Sequence, residues 1–240
     1  MPLFNEESYI HELLANFENF TKNNKLIIDL VIFDDCSTDN SYEILLNNQK
    51  KYQFLKVYKN NHNLKHGPTI YNVYKKIAEL GYDYIIGCDS DGQFDLDDIP
   101  KLLNNYESQK LLIGSRTRRV EGGIRLFISK LLKQFLNIFL NLKIKDSNSP
   151  FRLFAVSDFQ EFEKTVASTN LRITNILLSI FFLKRKKGVV EIPINHFERA
   201  SGGSGTMWEA NIFKNISIYL IKFAIFSLFD IWKYRKNIYK

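Results

Sequence analysis

Tyr82-Asp83-Tyr84-Ile85-Ile86-Gly87-Cys88-Asp89-Ser90-Asp91 is the stretch on which the fold turns. A short apolar run rich in Ile and Tyr stops abruptly at two carboxylates, the pattern of a buried strand that ends in a functional loop. Immediately upstream, His66 to Leu80 carries helical periodicity and is closed by Gly81, the residue type a helix C-terminus prefers. Helix, tight turn, strand and acidic loop follow one another within about 25 residues, as in a sheet whose parallel strands are joined by helices.

The same unit recurs on both sides. Leu26 to Phe33 (LIIDLVIF) reads as a strand ending at Asp34-Asp35, and Ser37 to Lys50 as a helix that Asp39 or Ser41 can cap. Phe54 to Tyr58 is a further strand. Asp97 to Ser108 reads as a helix and Lys110 to Gly114 (KLLIG) as a strand. The alternation predicts an α/β fold with a mainly parallel sheet flanked by helices. Ligands of such sheets sit outside the carboxyl ends of the strands. Asp34-Asp35, Asp89-Asp91 and Ser115-Arg116 all fall there.

Beyond residue 116 the character changes. Ile124 to Leu142 has apolar positions at helical spacing and a basic polar face. Phe151 to Val156 reads as a strand, Asn170 to Leu183 as a helix, and Gly188 to Phe197 as an extended segment with Pro193 marking a sheet edge. After the Gly/Ser turn at 201–205, Met207 to Trp232 is a long apolar stretch followed by Lys233, Arg235, Lys236 and Lys240. The expected division is one domain over 1–205 and a C-terminal apolar helical segment with a basic tail over 206–240.

Composition bounds the function. The 240 residues include 45% hydrophobic residues, with 20 Phe and 12 Tyr, so a packed core is expected and disorder is not. Thirty-three Lys and Arg against 26 Asp and Glu give +7, which favours anionic partners without choosing among phosphates, nucleic acid and membrane. Dispersed basic residues and the absence of a recognition motif argue against nucleic acid. There is no G-x-G-x-x-G and no G-x-x-x-x-G-K, which argues against dinucleotide oxidoreductases and P-loop NTPases. Cys36 and Cys88 form no disulfide framework or zinc spacing, and the four histidines show no metal spacing; all four read as structural or solvated. No signal peptide is visible at the start of the sequence.

Asp89 and Asp91 can converge on one hard cation, Mg2+ or Mn2+, with Gln93 as a neutral oxygen nearby. A solvated acidic turn is the alternative, since Asp-Gly pairs are common in loops. Asp34 and Asp35 can accept hydrogen bonds from a base or ribose, or simply decorate a helix start.

Taken together, Pro2-Leu3-Phe4-Asn5-Glu6-Glu7, VIFDDCSTDNS, GYDYIIGCDSDGQFDLDDIPKLL, IGSR and SPFRLF resemble, in this order, the family 2 glycosyltransferases, and within them the dolichyl- or polyprenyl-phosphate sugar synthases. The match runs from residue 1 to about 156, with a weaker echo at Ile192 to Gly205. The resemblance implies a GT-A, Rossmann-like fold and inverting transfer from a UDP- or GDP-sugar. It places Asn5, Glu6, Asp34 and Asp35 around the nucleotide and Asp89, Asp91 and Gln93 on Mg2+ or Mn2+. Arg199 and Ser204 fall near the donor phosphates, while Arg116, Arg125, Ser129 and Arg152 fall on the acceptor side. Asp89, Asp91 and Arg116 are the residues expected to carry catalysis. The implied acceptor is a polyprenyl phosphate. The alternatives are a hydroxyl of a surface glycan, with Asp146 or Asp158 as base, and a catalytically weakened membrane-bound homologue.

Three positions depart from the family pattern. Met1 sits almost on the first motif, so the first strand is expected to be clipped. Cys36 stands where the family has glycine in DDGS, and is expected to be strained if that glycine had a positive φ. Pro150 replaces the glycine before Phe-Arg-Leu. The amphipathic 124–142 segment and the apolar C-terminus imply either core helices or attachment to a membrane surface, expected at the cytoplasmic face. Self-association is left open.

Overall fold

The computed structural model describes residues 1–116, 144–199, 225–234 and 236–238. In chain order these form β1 (Pro2–Leu3), α1 (Ile10–Asn24), β2 (Leu30–Asp34), α2 (Ser41–Gln49), β3 (Leu55–Lys59), α3 (His66–Glu79) and β4 (Tyr84–Gly87). A single 3-10 turn, Leu96–Asp98, leads into α4 (Ile99–Asn104), followed by β5 (Leu111–Arg116), β6 (Arg152–Ala155), α5 (Val156–Val166), α6 (Thr174–Lys184) and β7 (Val189–Ile194). Residues 225–234 are helical. The segments 124–142 and 201–224, with Arg125, Ser129 and Ser204, lie outside the described residues.

The expectation of one mainly parallel sheet is corrected. The strands form two ladders, β1-β2-β3 and β4-β6-β5-β7. The first is parallel throughout, but β6 runs antiparallel to both of its neighbours, and only β5 and β7 are parallel in the second. Arg116 closes β5 and is bound by Asp146, and the chain re-enters at the carboxyl end of β5 with β6 running back the other way. The architecture is a mixed α/β fold. Pro193 falls on β7, an edge strand, where its missing N–H leaves no gap between ladders.

Side chains alternate across the strands with period two. Val31, Phe33, Ile85, Leu111, Ile113 and Phe154 face one core, covered by α3, α5 and α6. Leu30 and Ile32 face α1, while Leu112, Leu153 and Ile194 face α4. Phe154, Phe159, Phe162, Phe181 and Phe182 are fully buried, each contributing about 2 kcal/mol by leaving water. Helices α1 and α5 are not anticipated above, although Ile10, Leu13, Leu14, Phe17 and Phe20 have the spacing of a buried helical stripe.

Among the described residues no helix is long and apolar enough to cross a membrane. Ile231, Tyr234 and Ile238 are buried in the largest core cluster, so this stretch is packed onto the domain rather than hanging from it.

Candidate donor and metal site

The carboxyl ends of β1 and β2 are stitched together by side chains. Asn5 donates its backbone N–H to Ser37 Oγ (2.9 Å) and its amide to Thr38 Oγ1 (3.1 Å), while Thr38 N–H donates to Asn5 Oδ1 (2.9 Å). Glu6 N–H donates to Ser41 Oγ (2.9 Å), and Asn40 donates twice to Glu7 Oε2 (2.9 Å each). Such side-chain-to-backbone bonds fix loops that carry no ladder of their own. Asn5 and Cys36 adopt positive φ, +54° and +61°. Asn tolerates that region, whereas a Cβ-bearing thiol residue is strained there, so the glycine-to-cysteine departure does carry a backbone cost.

The adjacent carboxylates of this loop differ in their partners. Asp35 accepts from Asn60 Nδ2 (2.8 Å), Leu64 N–H (2.8 Å) and Lys65 N–H (2.9 Å), and so holds the loop before α3. Asp34 is wholly buried and accepts from Ser37 N–H through Oδ2 (3.1 Å), with Lys59 Nζ 4.0 Å away. Its Oδ1 finds no hydrogen-bond donor among the described residues. An unsatisfied buried carboxylate oxygen is costly, and a ligand N–H would relieve it.

Beyond β4 the loop bends toward β1, with Ser90 Oγ donating to the Pro2 carbonyl (2.8 Å). Asp91 Oδ1 accepts from Gln93 N–H (3.2 Å). Burial, and then the charge of Asp89, push the Asp91 carboxyl up to about 6. Asp89 Oδ1 is buried and accepts no hydrogen bond. Two close carboxylates with an orphaned oxygen and a surplus of negative charge are a fitting cradle for a divalent cation. Among the described residues no three His, Cys, Asp or Glu groups could hold a metal by themselves. A cation here would draw its remaining ligands from water and donor phosphates, as Mg2+ commonly does. Gln93 turns its amide toward the Phe197 carbonyl (3.3 Å).

Arg199 reaches the same place from the chain beyond β7. It pairs with the buried Glu6, and its charge acts on Asp91 in the direction opposite to burial. His66, read as structural or solvated from sequence, stands at the start of α3 with Nε2 3.7 Å from Asp89 Oδ1. Its only advance signal is topological: a helix that follows β3 begins at the carboxyl edge of the sheet.

The acceptor-side arginines are both engaged. Arg116 donates Nε to Asp146 Oδ2 (2.7 Å) and Nη2 to Asp146 Oδ1 (3.0 Å), a two-point pair. Arg152 is completely buried on the inner strand β6 and donates to the carbonyls of Ser147, Ser149 and Asn175. That placement makes Arg152 a clamp on the 147–149 loop rather than a surface residue facing an acceptor. Asp158, the other proposed base, is bound by Lys187 (2.8 Å) at the start of α5.

Residues 1–162 match the family described as Glycosyl transferase family 2. The chain is 28% identical over 213 residues to the UDP-N-acetylglucosamine–dolichyl-phosphate N-acetylglucosaminyltransferase of Methanococcus voltae, covering 81% of this chain and 82% of that protein. It is 27% identical over 133 residues to an undecaprenyl-phosphate mannosyltransferase of Micrococcus luteus, covering 52% of this chain and 54% of the relative's length. Among solved structures, glucosyl-3-phosphoglycerate synthase from Mycobacterium tuberculosis, in complex with Mn2+ and UDP-glucose, superposes with a TM-score of 0.60 at 13% identity. That match covers 97% of this chain and 77% of the other. At such identity the match speaks for the fold alone.

Proposed function

This chain belongs to glycosyltransferase family 2 and is a glycosyltransferase of the GT-A type, and on that premise we propose that it transfers a sugar from a nucleoside diphosphate donor held at Asp34, Asp89 and Asp91. The observation that carries the reading is the Asp89–Asp91 pair at the end of β4, with a buried oxygen lacking any hydrogen bond. Mg2+ or Mn2+ bound there would neutralise charge on the departing diphosphate. Arg199, held by Glu6 beside Asp91, adds a fixed positive charge on the same side. Asp34 offers its unsatisfied oxygen to an N–H of the base, and Asn5 and Asp35 hold the loops that position it.

For the acceptor, the geometry favours a hydroxyl over a phosphate. Arg116 is taken by Asp146 at two points and Arg152 is sealed beneath the loop, so a phosphate would have to displace a carboxylate from Arg116. In a hydroxyl acceptor, Asp146 would serve as the base, oriented by Arg116. A polyprenyl phosphate is the second reading, supported by the names of the two curated relatives. Supplying radiolabelled UDP- and GDP-sugars with undecaprenyl phosphate in one arm and oligosaccharides in the other separates the two. Label passing only to the lipid phosphate, unchanged in Asp146→Asn, overturns the hydroxyl reading.

We also infer attachment to an anionic membrane surface. The helical stretch 225–234 exposes Ile225, Phe226, Phe229 and Trp232 on the side away from the core. Arg172 lies over the Phe226 ring (4.6 Å), and Lys233 and Lys236 are exposed nearby. A row of large apolar side chains edged by cations suits a lipid interface.

A further inference from the structure

Lys59 is the last residue of β3, and its side chain ends beside Asp34. The two are partners in register on the adjacent parallel strands β2 and β3, so their side chains leave the carboxyl edge of the sheet side by side. The Lys59 ammonium lies 4.0 Å from Asp34 Oδ2, an ion pair too long for a hydrogen bond. It also sits over the Tyr42 ring, 4.2 Å from the centroid, a cation–π contact that holds it in place. Neither contact is a hydrogen bond, so the ammonium keeps its N–H donors for a ligand. Asp34 is asymmetric. Its Oδ2 accepts from Ser37 N–H (3.1 Å) and faces Lys59, whereas its Oδ1 finds no donor among the described residues. The pair therefore presents one open acceptor with one cationic donor close by.

Nucleobases answer this pattern differently. Uracil and thymine show a single imide N–H between two carbonyls, so the N–H suits Asp34 Oδ1 and a flanking carbonyl suits Lys59. Guanine shows adjacent donors, its N1–H and its 2-amino group, and two-point pairing with a carboxylate needs both oxygens. At Asp34 the second oxygen is already taken by Ser37, and the spare amino group would meet the Lys59 ammonium, donor against donor. Cytosine turns a lone pair toward the carboxylate. A buried polar group left unpaired is what makes such discrimination steep. Resting on the reading that Asp34 receives the base, we propose that Lys59 is a specificity-determining residue. With the one open oxygen of Asp34 it selects a base with an imide edge, uracil or thymine, over guanine and cytosine.

The test is calorimetric titration of UDP, dTDP, GDP and CDP into the full chain with Mn2+, for wild type, K59M, K59R and D34N. Wild type is expected to bind UDP or dTDP about tenfold or more tightly than GDP and CDP, and those first two arms tell the imide bases apart. K59M keeps the apolar stem and removes the charge. It is expected to weaken the imide nucleotides by about tenfold or more and GDP far less, so that the preference collapses. K59R retains a cationic donor and is expected to keep most of the preference. GDP or CDP binding wild type as tightly as UDP and dTDP, or a preference unchanged in K59M, overturns the proposal and leaves the donor site standing. No nucleotide bound by wild type, or affinities in D34N equal to those of wild type, overturns the placement of the base at Asp34 and this proposal together.

Discussion

Glu6 and Arg199 lie 193 positions apart in the chain and form an ion pair beside Asp91. Through it the first motif and the segment after β7 become one wall of the site. Glu6 is buried and Arg199 is partly exposed. Removing the cation therefore takes the charge partner from a buried carboxylate beside Asp91. Arg199→Ala is expected to cost about 1–3 kcal/mol, below the 3–5 of a wholly buried pair because of solvent at the guanidinium. Urea denaturation reads the loss, and Glu6→Gln in the same chain should recover part of it. A cost in the double variant equal to the sum of the single ones would show the pair to be uncoupled.

Asp34 and Asp35 are neighbours with opposite expected phenotypes. Asp35 accepts three hydrogen bonds and holds the 60–65 loop, so Asp35→Ala should destabilise by about 2–4 kcal/mol. Asp34 carries an unsatisfied oxygen, so Asp34→Asn should change stability by less than about 1 kcal/mol. The same substitution should abolish the rise in melting temperature produced by nucleotide. Equal destabilisation by both, with nucleotide response intact in Asp34→Asn, would remove Asp34 from the donor site.

Cys36 holds φ +61°. Relief of a left-handed non-glycine residue, about 1–2 kcal/mol, is partly offset by the greater freedom of glycine in the unfolded chain. Cys36→Gly is therefore expected to raise stability by about 0.5–1 kcal/mol, visible as a higher urea midpoint at an unchanged slope. A lower midpoint would mean that the thiol makes contacts worth more than the strain.

The exposed row of the 225–234 helix predicts co-sedimentation with phosphatidylglycerol vesicles and little with phosphatidylcholine alone. Phe229→Ser with Trp232→Ser should lose it while the melting temperature stays put, because both side chains face away from the core. Sedimentation unchanged in that double variant, or self-association in place of vesicle binding, would contradict the membrane reading.

Much of this was legible in the residues, for reasons that also explain the misses. The strand ends at Asp34-Asp35 and Asp89 could be read because an apolar run that stops at carboxylates has few other uses. The direction of β6 could not, since pairing sense is not written in four residues of strand. It is seen only in the pairing of β6 with β4 and β5, positions distant in the chain. The resemblance puts Arg152 on the acceptor side, whereas the structure seats it in the interior. Its neighbours Phe151, Leu153 and Phe154 are all fully buried, and that was the available warning. The nearness of His66 to Asp89 could not be read either, because the fold brings the two together across the carboxyl edge of the sheet.

The central claim is a donor site that depends on a cation at Asp89 and Asp91. Calorimetric titration of UDP- and GDP-sugars into the full chain with Mn2+, then with chelator, and then into Asp91→Ala with Mn2+, tests it most directly. Binding of at least one donor with Mn2+, lost in chelator and lost in Asp91→Ala, is the predicted result. A donor that binds equally well in all three would contradict it.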